Sequence, residues 1–320
     1  MKQPMSRLLF ALAATIACLP AVAADAWPAH TIKFIVPFGP GGANDLVARA
    51  AADAAGKQLG QTVIVENKPG AGSVLGADYV AKSAPDGYTF LAGAVGVVTN
   101  AMIKKNMPYK ESDLVPVGML AVSPSVIVVP VDSPITDLKS LVAASKVKPL
   151  NFSTAGTGST PHFVAEMLKF KSGAKLEIIP YKSGSEGVTA VLGKQVDATS
   201  EASVVVIPHI KGGKLRGVAS TWDKRIVALP DLATAKEQGY PDVFIGHWSG
   251  VFAPRGTPEA ILEKMSKAVD AAMKSPELRA RLSAQGIEPV GGTRASFVQF
   301  IAGEKARLGP VAKAADMKED

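Results

Sequence analysis

The chain has 320 residues, 47% of them hydrophobic and 20% charged, with 35 Lys and Arg against 28 Asp and Glu and a formal net charge of +7. That composition supports one large or two medium domains, and it excludes a disordered chain, a collagen-like repeat and, with 1 cysteine, a disulfide scaffold. The basic residues are spread along the chain and are not gathered into Lys/Arg blocks interleaved with aromatics, so nucleic acid is not an expected partner.

Lys2 and Arg7 precede the apolar stretch Leu8 to Ala17, and Leu19-Pro20-Ala21-Val22-Ala23 ends in a small-x-small pattern. Together they read as a signal peptide over 1–23, cleaved near Ala23. The stretch is too short to span a bilayer, and nothing later approaches a spanning length, so a soluble, exported, periplasmic chain is expected. Cys18 lies inside the leader, which leaves the mature chain no thiol for a disulfide, a thiolate metal site or a nucleophile. Lipid attachment at Cys18 stays open, although Thr15 stands where a Leu-like residue would favour it.

After the leader, short β-branched runs alternate with helical patterns. Thr31 to Val36 predicts a buried strand and Asn44 to Leu59 a helix, with Leu46, Val47, Ala50, Ala51, Ala54 and Leu59 on one side and Gly60 as its C-cap. Val63 to Val65 is the next strand, Val74 to Lys82 the next helix, and Tyr88 to Ala92 a third strand after the Pro85-Asp86-Gly87 turn. A second set of such units runs through strand Val126 to Val129, helix Asp137 to Ser145, strand Leu150 to Ser153, helix Pro161 to Lys171, strand Leu176 to Pro180, helix Ser185 to Leu192, strand Val196 to Thr199 and strand Arg216 to Ala219. The tail turns helical, with Thr257-Pro258 and Ser275-Pro276 each placing a capping hydroxyl before a proline and Gly286 closing the second helix.

This grammar predicts an α/β fold of two lobes, each a mostly parallel sheet flanked by helices, since two sheets suit this length better than one very wide one. Val115 to Val129 and Val243 to Phe252 are apolar and strand-like, which suits a two-strand hinge, with the C-terminal helices returning to the first lobe. The expected division is 24–124 plus 246–320 for lobe 1 and 125–245 for lobe 2.

Three Gly- and hydroxyl-rich loops follow strands and open helices: Pro37 to Asn44, Asn67 to Ser73, and Ser153 to Thr160. Such loops let backbone amides approach a ligand, and a helix N-terminus adds partial positive charge, so they suit an anion; a plain strand-to-helix turn capped by Asn44 or Asp45 reads the first loop equally well. Neither a dinucleotide fingerprint nor a phosphate-binding P-loop is present. At the C-terminal ends of strands in an open α/β arrangement, the three loops would line one crevice. They contain no Arg, so amides, hydroxyls and water would hold the ligand.

The 4 histidines, His30, His162, His209 and His247, have no metal-ligand spacing, and no nucleophile elbow occurs. No metal or cofactor is therefore expected. His162, just after Ser159 and Thr160, is read as a helix-start residue bonding its own loop, the alternative being a periplasmic hydrolase that uses the Thr157 to His162 loop. Glu201 ends a strand without an adjacent acid/base partner.

Trp27-Pro28, Ile35-Val36-Pro37-Phe38 with Pro40-Gly41-Gly42 and Asp45, Val65-Glu66-Asn67-Lys68-Pro69-Gly70-Ala71-Gly72, Pro85-Asp86-Gly87-Tyr88-Thr89, Ala155-Gly156 with Gly158-Ser159 and His162, Pro180-Tyr181-Lys182, Gly212 to Arg216, Leu229-Pro230-Asp231, and Ala253-Pro254 with Gly256-Thr257-Pro258 together resemble the Bug-type solute receptors of tripartite tricarboxylate transporters. The blocks cover the mature chain in order. The resemblance implies a periplasmic binding protein of the type II-like, flytrap-like kind that binds a small organic carboxylate and delivers it to membrane permease subunits; a monomer is the default expectation for a receptor that must dock on a permease. It implies ligand contacts from Phe38, Gly41, Gly42 and Ala43, from Ala71 and Ser73, from Ala94 and Val95 in the Gly93-Ala94-Val95 segment, and from Thr154, Ala155, Gly156, Thr157, Gly158 and Ser159, partly through water. Asp45 is read as a helix-start cap.

Two departures stand out. Ser183 and Ala190 occupy places where such receptors often carry a Gly and an Asp, and Ser200-Glu201 replaces an aromatic-acid pair. If Glu201 faces the crevice, it would repel a second carboxylate and favour a hydroxyl, amide or ammonium group. A sensor input in place of a transport receptor would read the same in sequence, as would the identity of the acid.

Overall fold

The computed structural model describes residues 27–319, so the leader, with Cys18 and the cleavage site, lies outside the described residues. The first unit comprises β1 (Ile32–Val36), α1 (Ala43–Leu59), β2 (Val63–Asn67), α2 (Val74–Ala81), β3 (Thr89–Ala94) and α3 (Gly96–Ile103). β1 lies between β2 and β3 and parallel to both, with Phe34 opposite Val65 and Phe90. The right-handed βαβ connections put the helices on the sheet faces and the strand C-termini at one edge. α1 ends as expected at Gly60, whose left-handed φ of 66° suits a residue without Cβ. Its buried face is Val47, Ala48, Ala51, Ala52 and Ala55, whereas Leu46 is 36% exposed. Alanines carry this face because the later helix Glu259–Lys274 lies close against it, and a Leu at 46 points past the contact into solvent.

The chain crosses next on β4 (Leu114–Pro130), then builds α4 (Leu138–Val147), β5 (Leu150–Thr154), α5 (Thr160–Ser172), β6 (Leu176–Pro180), α6 (Gly184–Leu192), β7 (Ala198–Ala202), α7 (Ser203–Lys211) and β8 (Leu215–Ser220). β5 sits between β6 and β7 and parallel to both. The return is β9 (Gly246–Pro254), followed by α8 (Glu259–Lys274), α9 (Pro276–Ala284), β10 (Glu288–Pro289) and α10 (Arg294–Ala314).

β4 is the axis of the molecule. From Leu114 to Pro124 it pairs antiparallel with β9, and from Ser125 to Pro130 it pairs antiparallel with β7 and β8. The two sheets expected from sequence are thus joined into one ten-stranded sheet, with the path β2-β1-β3-β9-β4-β7-β5-β6 and with β8 and β10 pairing β4 beside it, because one apolar 17-residue strand serves both. Parallel pairing is confined to the strands that alternate with helices, and the linking strands are antiparallel.

β7 begins at Ala198 and runs through Glu201, later than the Val196 to Thr199 run suggests, because Ser200 is held against β4 by a 2.5 Å bond between its Oγ and that of Ser125. Ser275 caps α9 as expected, but Thr257 does not cap α8: its hydroxyl donates to the Pro254 carbonyl at 2.8 Å and the helix starts at Glu259. Among the C-terminal helices, α8 packs on α1 through Leu262, Met265, Ala268 and Val269. α10 lies against β4, α3 and α5, with Phe297, Ile301 and Leu308 in the main core. Burying these helices against both units is what holds the chain in one body, at roughly 1.5–3 kcal/mol for each large apolar side chain removed from water.

Candidate functional site

The loop after β1 is shaped by Asp45, which is 2% exposed. Its carboxylate accepts from the Gly41 amide at 2.9 Å, from Arg49 Nε at 3.0 Å and from Asn67 Nδ2 at 2.8 Å. Burial alone would raise its pKa, but the hydrogen bonds from Arg49, Gly41 and Asn67 and the guanidinium charge outweigh burial and hold the carboxyl below the usual aspartate range. The Asn67 amide also donates to the Phe38 carbonyl at 3.0 Å, tying the end of β2 to this loop. Asp45 therefore pins the loop from inside the first turn of α1; it is not the expected helix cap, since the helix starts at Ala43 with Gly42 at the cap position and no side-chain cap bond, and its carboxylate is turned back to Gly41. Phe38 is half-buried while Gly41 and Gly42 are exposed, and a Cβ on Gly41 would meet nothing within 4 Å.

The second loop is strained. Gly70, Ala71, Gly72 and Ser73 all have positive φ, at 137°, 47°, 62° and 80°. For Ala71 and Ser73 that conformation costs on the order of 1–2 kcal/mol each, and it persists because its surroundings enforce it. Asn100, 4% exposed on α3, donates to the Gly72 carbonyl at 2.8 Å and to Ser73 Oγ at 3.2 Å. Gly96 makes room for this contact, since a Cβ there would overlap Ser73 Oγ. Ala94 ends β3 and Val95 opens α3, so the turn between them closes the same edge.

Across from these loops lies Thr154 to Ser159, at the C-terminal end of β5. Gly156 and Gly158 have φ of 92° and 74°, Ala155 is half-buried and Thr157 is exposed. Thr154 and Thr160 are 1% and 2% exposed, yet neither hydroxyl has a hydrogen-bond partner among the described residues. Gly158 meets the first unit directly: a Cβ on it would overlap Ile103 Cδ1 and stand 3.9 Å from Thr99 Oγ1. The expected loop of the second unit thus meets helix α3 of the first.

His162 accepts the Gly158 amide on Nδ1 at 3.3 Å and has Nε2 3.8 Å from Glu166, with burial pushing its pKa down against the opposing pull of Glu166. Ser159 donates to the Gly156 carbonyl at 2.6 Å. Hydroxyl and imidazole are each engaged with the loop backbone and do not form a nucleophile–base pair, so the geometry gives the hydrolase reading no support.

Glu201, at the end of β7, is 8% exposed. Its Oε1 accepts from the Ala202 amide at 2.7 Å and lies 3.5 Å from His247 Nε2. Its Oε2 lies against Gly184, where a side chain could not fit, at the amide end of α6. Burial lowers the His247 pKa, with Glu201 pulling the other way.

His247 and Ser249 share one face of β9, while Trp248 points to the other and is held in the core by its 3.0 Å bond to Glu304. Ser249 Oγ accepts from Asn44 Nδ2 at 2.9 Å. A mostly buried polar strip, Asn44–Ser249–His247–Glu201, therefore runs from the first loop to the second unit. Sequence reading missed its middle members and Asn100. The available signal was the polar–Trp–polar alternation at 247–249 inside an otherwise apolar strand.

Among the described residues, no group of three or more His, Cys, Asp or Glu is placed to hold a metal, and no helix is long and apolar enough to cross a membrane. A separate groove of about 290 Å³ between α5 and α10 is lined by Met167, Phe170, Phe244 and Pro310, and of its charged residues Lys171 pairs with Asp242 at 3.1 Å and Arg307 with Glu304.

Two helix-flanked half-sheets linked by long antiparallel strands, with glycine loops opposed across the junction, define an α/β periplasmic-binding-protein fold. The chain belongs to the tripartite tricarboxylate transporter family receptors, whose family model matches residues 47–317. Protein BugT of Bordetella pertussis is 36% identical over 317 residues, covering 97% of this chain and 97% of that protein. The structure of the periplasmic binding protein BugD is similar with a TM-score of 0.81 at 31% identity, over 92% of this chain and 100% of that one. R. palustris Rpa4515 with adipate gives 0.84 at 31% identity, over 91% and 99% of the two chains. MatC (Rpa3494) from Rhodopseudomonas palustris with bound malate gives 0.79 at 30%, over 89% and 99%.

Proposed function

We propose that this chain is an extracytoplasmic receptor that binds one small organic carboxylate between two lobes, closes over it, and delivers it unchanged to the permease subunits of a tripartite-type transporter. The observation that carries the reading is the pair of buried hydroxyls of Thr154 and Thr160, which have no hydrogen-bond partner among the described residues and flank the glycine loop that meets α3 of the first unit. A hydroxyl buried without a partner is costly, and an acceptor oxygen from a ligand would satisfy it. The adipate and malate held by the two similar binding proteins are ligands of that class.

In this reading the lobes are 24–124 plus 246–320 and 125–245, which agrees with the change of β4 partners between Pro124 and Ser125. Phe38, Gly41, Gly42, Ala43, Ala71, Ser73, Ala94 and Val95 meet the ligand from the first lobe. Thr154, Ala155, Gly156, Thr157, Gly158 and Ser159 close from the second, and Glu201 meets its far end. Closure is a hinge motion taken up by β4 and β9. The receptor works in the periplasm as a monomer, with no cofactor.

A thermal-shift screen of the protein after unfolding and refolding, to strip any carried ligand, tests this. A ligand at 100 times its Kd should add about 2.7 kcal/mol of stability, a shift of a few degrees in the melting midpoint. A shift from organic acids with the acid recovered intact is the expected result; no shift from any carboxylate, or conversion of the acid, would overturn it.

A further inference from the structure

The far end of the crevice differs in chemistry from the near end. The near end offers backbone amides and hydroxyls. The far end presents the Glu201 carboxylate, of which only Oε1 is engaged, by the Ala202 amide at 2.7 Å. Among the described residues no donor reaches Oε2, although the residue is 8% exposed and the oxygen lies against the Gly184 backbone. Beside it, His247 Nε2 is buried, 3.5 Å from Oε1, and has no hydrogen-bond partner. The His247 nitrogen is thus left without a hydrogen-bond partner beside the Glu201 carboxylate. Both lie on the strip that begins at Asn44, whose amide bonds Ser249 at 2.9 Å. His247 and Ser249 are two residues apart on one strand face, roughly 7 Å along the strand.

We infer that Glu201, flanked by His247, is the specificity-determining end of this site, and that it selects a monocarboxylate whose other end donates hydrogen bonds, as an ammonium, amide or hydroxyl group does, over a dicarboxylate. The inference rests on the receptor reading above. A donor at that end bonds Oε2, and an ammonium group also offsets its charge, whereas a second carboxylate is placed against a carboxylate and like charges repel. This chain therefore departs in ligand class from the similar proteins that hold adipate and malate.

The test is titration calorimetry with chain-length-matched sets of four to six carbons: the dicarboxylate, its monoamide, and the ω-amino and ω-hydroxy acids. The refolded chain should bind at least one donor-bearing acid ten times or more tighter than the dicarboxylate of equal length. Glu201→Gln keeps an oxygen for the Ala202 amide and removes the charge, and should reverse that order. Glu201→Asp, which keeps the charge, should retain it, and this second variant guards against a folding defect in the first. A native chain that binds dicarboxylates as well or better, or a Gln variant with an unchanged ratio, overturns the inference and leaves the receptor reading standing. If none of the acids binds, the receptor reading falls and takes the inference with it.

Discussion

Gly158 of the β5–α5 loop lies against Ile103 of α3, so closely that a single added methyl at position 158 would overlap the Ile103 Cδ1. These residues belong to the two halves of the crevice, and glycine is what lets the halves touch. The left-handed φ of 74° adds a second reason for glycine here. Gly158→Ala should therefore weaken ligand binding by tenfold or more and enlarge the radius of gyration of the liganded protein in solution scattering. Ile103→Ala in the same chain should restore part of the affinity by vacating the space. Unchanged affinity in the single variant would show that the loops do not close on one another.

Asp45 organises the first loop through three donors, Gly41, Arg49 and Asn67. Asp45→Ala should lower stability by about 2 kcal/mol, the size expected when a buried charge-assisted hydrogen-bond set is lost. It should also weaken binding, because the Gly41 amide loses its anchor. Since the folded pKa of Asp45 lies below its ordinary 3.8, its contribution is present above that value and lost as pH falls through the lower folded value. Urea melts between pH 2 and 5 should accordingly show a flatter acid limb in the variant.

Asn100 holds the strained Gly70 to Ser73 stretch by bonds to Gly72 and Ser73. Asn100→Ala removes both and should lower stability by about 1–2 kcal/mol. The larger effect should be on ligand affinity, by more than tenfold in calorimetry, because the loop relaxes toward ordinary φ values. Equal affinity in variant and parent would mean the loop makes no ligand contact.

His162 and His247 both have folded pKa values pushed below the ordinary 6.5, chiefly by burial. The unfolded chain therefore takes up their protons first as pH drops. Their stabilisation is full above about pH 6.5 and declines as pH falls below it. Glu304 acts in the opposite sense, since burial raises its pKa above the ordinary 4.5 and stability from it grows as pH falls through that raised value. The comparison of the parent with a His162→Gln, His247→Gln double variant isolates the histidines: the parent melting midpoint should fall more steeply from pH 7 to pH 5.5.

Much of the βαβ order was legible because glycines and prolines punctuate it, as at Gly60 and at Pro85-Asp86-Gly87, and because three loops of like composition follow three strands. α3 was not legible: Gly96-Val97-Val98-Thr99 is a poor helix former, and it becomes helical because Asn100 and Ile103 must face the second loop and the opposite unit. α7, with Val204-Val205-Val206-Ile207, hides for the same reason. Glu201 was visible as a departure from its relatives, but its pairing with His247 was not, since the two residues are brought together only by the common partner β4, where Glu201 lies opposite Val126 and His247 opposite Ser123.

The most direct measurement is titration calorimetry of the unfolded and refolded chain with a short organic acid and with the methyl ester of the same acid. The account predicts saturable one-to-one binding of the acid, little or none of the ester, and recovery of the acid unchanged. Equal binding of acid and ester, or conversion of either, would contradict a receptor built to hold a carboxylate.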